Sequence, residues 1–172
     1  DEELRANTAR VMGDLKYLNA AIDIGDCLQD DSLRVRHLAA LALGEIGWAE
    51  SVPALVKLLD DIGGADPVLR HSAVMGLLGC ASDEKLLELS EHDSVPVRMA
   101  VLLCWRRKGS IEITRFLGSE DPLLFTEACR AVYDVPIEAA LPSLAAQISR
   151  YDVPNAACAR RIMAANHRLG EE

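Results

Sequence analysis

The chain has 172 residues, half of them hydrophobic and 26% charged, with a net charge of −9. Such a composition excludes a disordered chain, and the charge argues against nucleic acid, whose binding relies on Lys and Arg neutralising phosphates. No apolar run approaches the roughly 20 residues needed to span a bilayer, so direct membrane insertion is not expected.

In chain order, the first predicted helix contains LRANTARVMG from Leu4, and LKYLNAAIDIGDCL follows it from Leu15. The stretch DSLRVR, Asp31 to Arg36, then introduces VRHLAALAL, which is paired with SVPALVKLLDD. LRHSAVMGL precedes DEKLLELSEH, VRMAVLLCW precedes SIEITRFLG, and LFTEACRAV precedes AALPSLAAQISR. A lone helix from about Asn155 to Arg168 closes the series. Leu55, Leu58 and Leu59 have the i, i+3, i+4 spacing of an amphipathic helix, and no segment alternates like a strand.

Aligning these segments brings Arg5, Arg36, Arg70, Arg98 and Phe125 into one register. Three residues later stand Ala39, Ala73, Val101 and Ala128, and six later Ala42, Gly76, Cys104 and Ala131. A stripe of small residues lets neighbouring helices approach closely. A pair of helices cannot bury its apolar face alone, so the pairs must stack. The expected fold is all-α, a right-handed α-solenoid of about five helix pairs plus a terminal helix. The boundaries are 1–29, 30–62, 63–92, 93–118 and 119–150, with the final helix over 154–169, in a single domain cut from a larger multidomain protein.

Ser32, Asp66, Ser94 and Asp121 lie four residues before the anchor and are expected to cap the helix N-termini. Pro67 and Pro122 take the first helical position, where the missing N–H costs nothing, and Pro96 lies one place further in. The arginines at 36, 70 and 98, with Arg5 in register, form a predicted half-buried ladder. Asp31, Asp60, Asp61 and Asp93 are its candidate partners. Arg106, Arg107 and Lys108 mark a helix C-terminus that Gly109 closes in the left-handed region. Gly63 and Gly64 lengthen a turn and form no phosphate loop.

The segment DDSLRVRHLAALALGEIGWAESVPALVKLLDD resembles the HEAT family, in the short form also called the phycobilisome-lyase-type repeat. The match weakens where Phe125 replaces the arginine. DPVLRHSAVMGLL, AVYDVPIEAALP and RIMAANHRLG further resemble the helical-repeat segment of very large planctomycete- and verrucomicrobial-type membrane-bound dehydrogenase or haem-binding proteins. That resemblance implies a β-propeller before the array and a c-type cytochrome domain after it. With no C-x-x-C-H in the chain, haem is expected only in the separate domain, and no cofactor is expected here. The resemblance also implies an exported, periplasmic location. Five cysteines without a CxxC pair read as buried free thiols and point instead to a reducing, cytoplasmic compartment.

Catalytic chemistry is weakly marked. His37 and His71 follow consecutive anchors and could share a metal, but a polar surface pair accounts for them. HEAT-type hydroxylases carry repeated His-Glu dipeptides as iron ligands, whereas the histidines here precede Leu, Ser, Asp and Arg. The acid pairs fall at repeat junctions, where helix ends explain them. The expected function is therefore a non-enzymatic scaffold that docks a protein or a neighbouring domain. Lys57, Glu88, His37, His71 and Trp48 are its candidate contact residues, and Trp105 is assigned to the core. A bilin lyase is the enzymatic alternative, requiring a deep tetrapyrrole groove with an acid or Cys inside. A HEAT-like DNA glycosylase is a second alternative, set back by the charge.

Overall fold

Close approach of backbones, not the bulk of side chains, sets the spacing of the helices. The computed structural model describes residues 1–62, 65–150 and 152–170, so the expected Gly63-Gly64 turn lies outside the described residues. Every regular element among them is helical, and none is long and apolar enough to cross a membrane. The chain divides into two compact units, Asp1–Cys104 and Trp105–Glu172.

The first unit begins with helices α1 (Glu2–Asp14) and α2 (Ala21–Asp26), the latter flanked by 3₁₀ turns at Leu18–Ala20 and Cys27–Gln29. Helices α3 (Leu33–Ile46), α4 (Val52–Ile62), α5 (Pro67–Cys80) and α6 (Asp83–Leu89) follow, and α7 (Val95–Lys108) continues into the second unit. Helix α1 packs on α3 and α3 on α5, while α4 lies against α5. On α4 the predicted stripe Leu55, Leu58 and Leu59 is buried, with Lys57, Asp60 and Asp61 exposed.

Along α1, α3 and α5 the small residues meet backbone. A Cβ on Gly13 would lie 2.6 Å from Ala42 Cα, and one on Gly76 would lie 2.8 Å from the Ala40 carbonyl oxygen. At Gly79 the gap is tighter still, 2.0 Å to the Gly44 carbonyl oxygen.

Helix starts follow two chemistries. Asp66 accepts from the N–H groups of Val68 and Leu69, and Asp121 accepts from those of Leu123 and Leu124. Pro67 and Pro122 are the first residues of their helices. Ser32 departs from expectation, because its side chain makes no capping bond. Its backbone N–H instead donates to Asp30 at 2.9 Å, so the preceding acid organises this junction. Ser94 stands directly before α7, and its N–H donates to His92 Nδ1. Ser82, Ser110 and Asn155 also cap with their side chains, and the sequence reading had not assigned them.

The ladder is also revised. Arg36, Arg70 and Arg98 are half-buried, but Arg5 is exposed and pairs bidentately with Asp30. Among the described residues, none of the three ladder arginines pairs with Asp31, Asp60, Asp61 or Asp93. Asp61 is instead held by Lys57 at 2.6 Å. Buried Nε atoms of Arg36 and Arg98 have no hydrogen-bond partner.

In the second unit, α8 (Pro122–Asp134), α9 (Leu141–Ala145) and α10 (Ala156–Leu169) pack together. SIEITRFLG was expected as an α-helix and is instead a 3₁₀ helix over Ile111–Gly118. The β-branched residues Ile111, Ile113 and Thr114 disfavour an α-helix in so short a segment. Trp105 is buried, its ring centroid 5.6 Å from that of Phe116. Phe125 is fully buried at the register where the arginine is missing. Arg150 reaches that position from after α9: its guanidinium carbon lies 4.2 Å from the Phe125 ring centroid. It also donates to the carbonyls of Leu117 and Ser119 and pairs with Asp152 at 2.7 Å. Gly109 closes α7 with a φ of 63°, as expected of the left-handed cap.

Substitutions at three positions test this packing by thermal unfolding. Gly79→Ala forces a methyl group into the Gly44 carbonyl and should cost about 2 kcal/mol, despite better helix propensity. Gly118→Ala, with nothing within 4 Å of the added carbon, should be neutral or slightly stabilising. Arg150→Ala removes the ring contact and two carbonyl caps together and should cost about 1–2 kcal/mol, with Lys recovering only part of it.

Candidate functional site

The first helix pair leaves a cavity of about 480 Å³ between α1 and the segment from Tyr17 to Cys27. Helical spacing builds one wall, since Leu4, Thr8 and Met12 recur every fourth residue on α1, with Arg5 and Ala9 beside them. Asp23, Ile24 and Cys27 form the other wall from α2 and its 3₁₀ extension, and Tyr17 and Asn19 close the end.

Arg5, Asp23 and Cys27 enter a largely apolar space, beside the polar tips of Thr8, Tyr17 and Asn19. Arg5 is fixed by Asp30, its Nε and Nη2 donating at 2.7 and 2.9 Å. Donating to Asp30 raises the Arg5 guanidinium above its usual range. Reciprocally, Arg5, helped by the Ser32 N–H, holds the Asp30 carboxyl below the usual carboxylate range. Asp23 is exposed and offers a carboxylate acceptor. Cys27 is half-buried, and burial, followed by the charge of Asp30, pushes its thiol up. It therefore stays protonated near neutral pH and is a poor nucleophile there.

A second groove of about 710 Å³ adjoins this cavity, the two sharing Asn19. Leu18, Ile22, Trp48 and Glu50 line it, with Leu18 and Ile22 strongly exposed. Of the contact residues inferred from sequence, Trp48 lines this groove. Lys57 and Glu88 are exposed and engaged within their own helices, Lys57 with Asp61 and Glu88 with Lys85. His71 is exposed and His37 half-buried, its Nδ1 buried without a hydrogen-bond partner. Among the described residues, no three His, Cys, Asp or Glu side chains gather as a metal-holding group.

The sequence reading placed Arg5 in the ladder and gave Cys27 no role beyond a free thiol. An available signal was the run of large apolar residues within positions 4 to 22. Leu4, Val11, Leu15, Tyr17, Leu18 and Ile22 are all exposed there, more densely than anywhere later in the chain.

Residues 1–77 match the family model of HEAT repeats. A deoxyhypusine hydroxylase of Schizosaccharomyces pombe is 34% identical over 98 residues, covering 55% of this chain and 30% of that protein. Phycocyanobilin lyase subunit alpha of Synechococcus elongatus is 40% identical over 65 residues, covering 38% of this chain and 23% of that protein. The chain thus spans less than a third of the length of the curated relatives it matches. The solved complex of CpcE and CpcF of phycocyanin lyase from a Nostoc species aligns with a TM-score of 0.46 at 21% identity. It covers 96% of this chain and 74% of that one. Residues 1–77 therefore carry HEAT-like repeats, and part of the chain is similar to a phycocyanobilin lyase subunit. The expectation of a non-enzymatic chain is overturned, because the relatives at 32–40% identity are named as enzymes.

His37 offers a pH test of the first unit. Burial, and next the neighbouring His71, lower its pKa, against the Val68 carbonyl and Asp66. A histidine depressed in the folded state contributes stability that is full above its unfolded value of about 6.5 and is lost as pH falls below it. The urea midpoint should drop between about pH 7 and about pH 5, and His37→Gln should flatten that slope. An unchanged slope in the variant would mean that other groups set it.

Proposed function

We propose that this chain is the helical-repeat part of a bilin-lyase-type enzyme, and that it holds a linear tetrapyrrole in the cavity beside α1. The single observation that supports this reading most is the placement of Arg5, Asp23 and Cys27 together in one apolar cavity. A linear tetrapyrrole has a matching chemistry. Its rings are flat and apolar, its pyrrole N–H groups donate, and its propionates are anionic.

In this reading, Leu4, Met12 and Ile24 cover the rings. Arg5 meets a propionate, because Asp30 occupies its Nε and Nη2 and leaves Nη1 available. Asp23 accepts from pyrrole N–H groups. The protonated Cys27 packs against the ligand and does not attack it, so the thiol that bonds to the tetrapyrrole belongs to an acceptor protein. The expected protein partner keeps a place here, with Leu18, Ile22 and Trp48 in the adjoining groove as its contact. The hydroxylase relatives favour a different chemistry, but the His-Glu pairs of that class have no counterpart at His37, His71, His92 or His167.

The test is a titration of the chain with phycocyanobilin, followed by absorbance. Binding should shift and sharpen the long-wavelength band. Arg5→Glu or Met12→Arg should weaken it about tenfold or more, and Cys27→Ser should leave it in place. No spectral change with bilin in large excess over folded chain would overturn the proposal.

A further inference from the structure

The second unit holds a pair of thiols that neither the fold nor the proposed activity uses. Cys129 lies on α8 and Cys158 in the first turn of α10, and both side chains are fully buried. Two contacts bring them together. Cys158 Sγ lies 3.5 Å from Thr126 Oγ1, and Thr126 is one turn before Cys129 on the same stripe of α8. Besides burial, the Cys158 thiol is near enough to that of Cys129 to push its pKa up. Cys80 and Cys104, by contrast, are each bonded to backbone carbonyls of other helices, Leu43 and Val74.

We propose that Cys129 and Cys158 form a reversible disulfide that latches the terminal helix α10 onto α8. The co-reactant is a low-molecular-weight disulfide of the oxidised-glutathione class. One cysteine loses its proton and attacks that disulfide, forming a mixed disulfide and releasing one thiol. The second cysteine, deprotonated in turn, displaces the remaining glutathione. The sum is one new S–S bond in the protein and one cleaved in the oxidant, with two protein thiols oxidised and two small thiols formed.

The surroundings explain how a buried pair reacts. In the closed state, burial and the neighbouring Cys158 hold the Cys129 thiol up at about 12, which keeps it protonated and slow. Helix α10 buries only Cys158, Ile162 and Ala165. Its other ties include the ion pair Arg161–Asp134 and the hydrogen bonds Asn155–Thr126 and Asn166 to the Ala145 carbonyl. So small an apolar stripe permits local opening of α10, which hydrates both thiols and restores ordinary reactivity. Reclosure then returns them to mutual contact, and the disulfide traps the docked state.

The experiment treats the full chain with oxidised glutathione, at neutral pH and again in urea below the global unfolding transition. Free thiols are then alkylated and the protein is analysed by intact mass and peptide mapping. The expected product has lost the mass of two hydrogens, carries no glutathione at these sites and yields a crosslinked peptide joining Cys129 to Cys158. Amide exchange in α10 should slow by about tenfold or more on oxidation and recover on reduction. Cys129→Ser should lack the crosslinked product and the slowing, retaining at most glutathione on Cys158. Stable glutathione on either residue of the unsubstituted chain would overturn the latch. So would two alkylatable thiols under both conditions, or a crosslink that leaves α10 exchange unchanged.

Discussion

Contact between helix backbones across a stripe of small residues is the constraint on which the first unit depends. Gly13 meets Ala42, Gly76 meets the Ala40 carbonyl, and Gly79 meets that of Gly44, each too close for another carbon. With the backbones in contact, dispersion and burial act over the whole interface at once. Leu55, Leu58 and Leu59 of α4 show the result, filling the space beside α5 with no exposed surface to speak of.

That regularity explains why so much of the fold was legible. The period-3.6 spacing, the Asp-Pro starts at 66–67 and 121–122 and the small residues at fixed offsets all follow from local chemistry. They point to helices in an order the structure reproduces. Less legible were the choices that depend on a neighbour in space. Ser32 has the chemistry of a cap, but Asp30 takes its N–H first. Ile111–Gly118 has helical spacing, yet its β-branched residues settle into 3₁₀ geometry. The cavity was missed for a related reason: its walls carry ordinary amphipathic residues, and only their placement in space brings them together.

The second unit shows how a lost interaction is replaced from elsewhere in the chain. Phe125 could not carry a charge at the anchor register, and a bare aromatic there would leave the Leu117 and Ser119 carbonyls without a donor. Arg150 answers both needs, lying over the ring while donating to those carbonyls. A planar guanidinium can stack and donate in plane at once, which an ammonium cannot. No alignment of repeat registers would reveal this, because the compensating residue sits outside the repeated motif.

One register position thus performs three different tasks, and the difference lies in what surrounds it. At 36, 70 and 98 the arginine stem is half covered, and its polar atoms are not spent on the junction acids. At 125 the charge is supplied by a residue later in the chain. At Arg5 the side chain is exposed, and Asp30 clamps two of its nitrogens in a fixed plane. A cation so held loses little further freedom when it meets an anionic ligand. In a chain carrying a net charge of −9, this one immobilised guanidinium beside a largely apolar cavity is the feature on which the proposed tetrapyrrole site rests. The arginine that departs most from the ladder is, for that reason, the one best placed for chemistry.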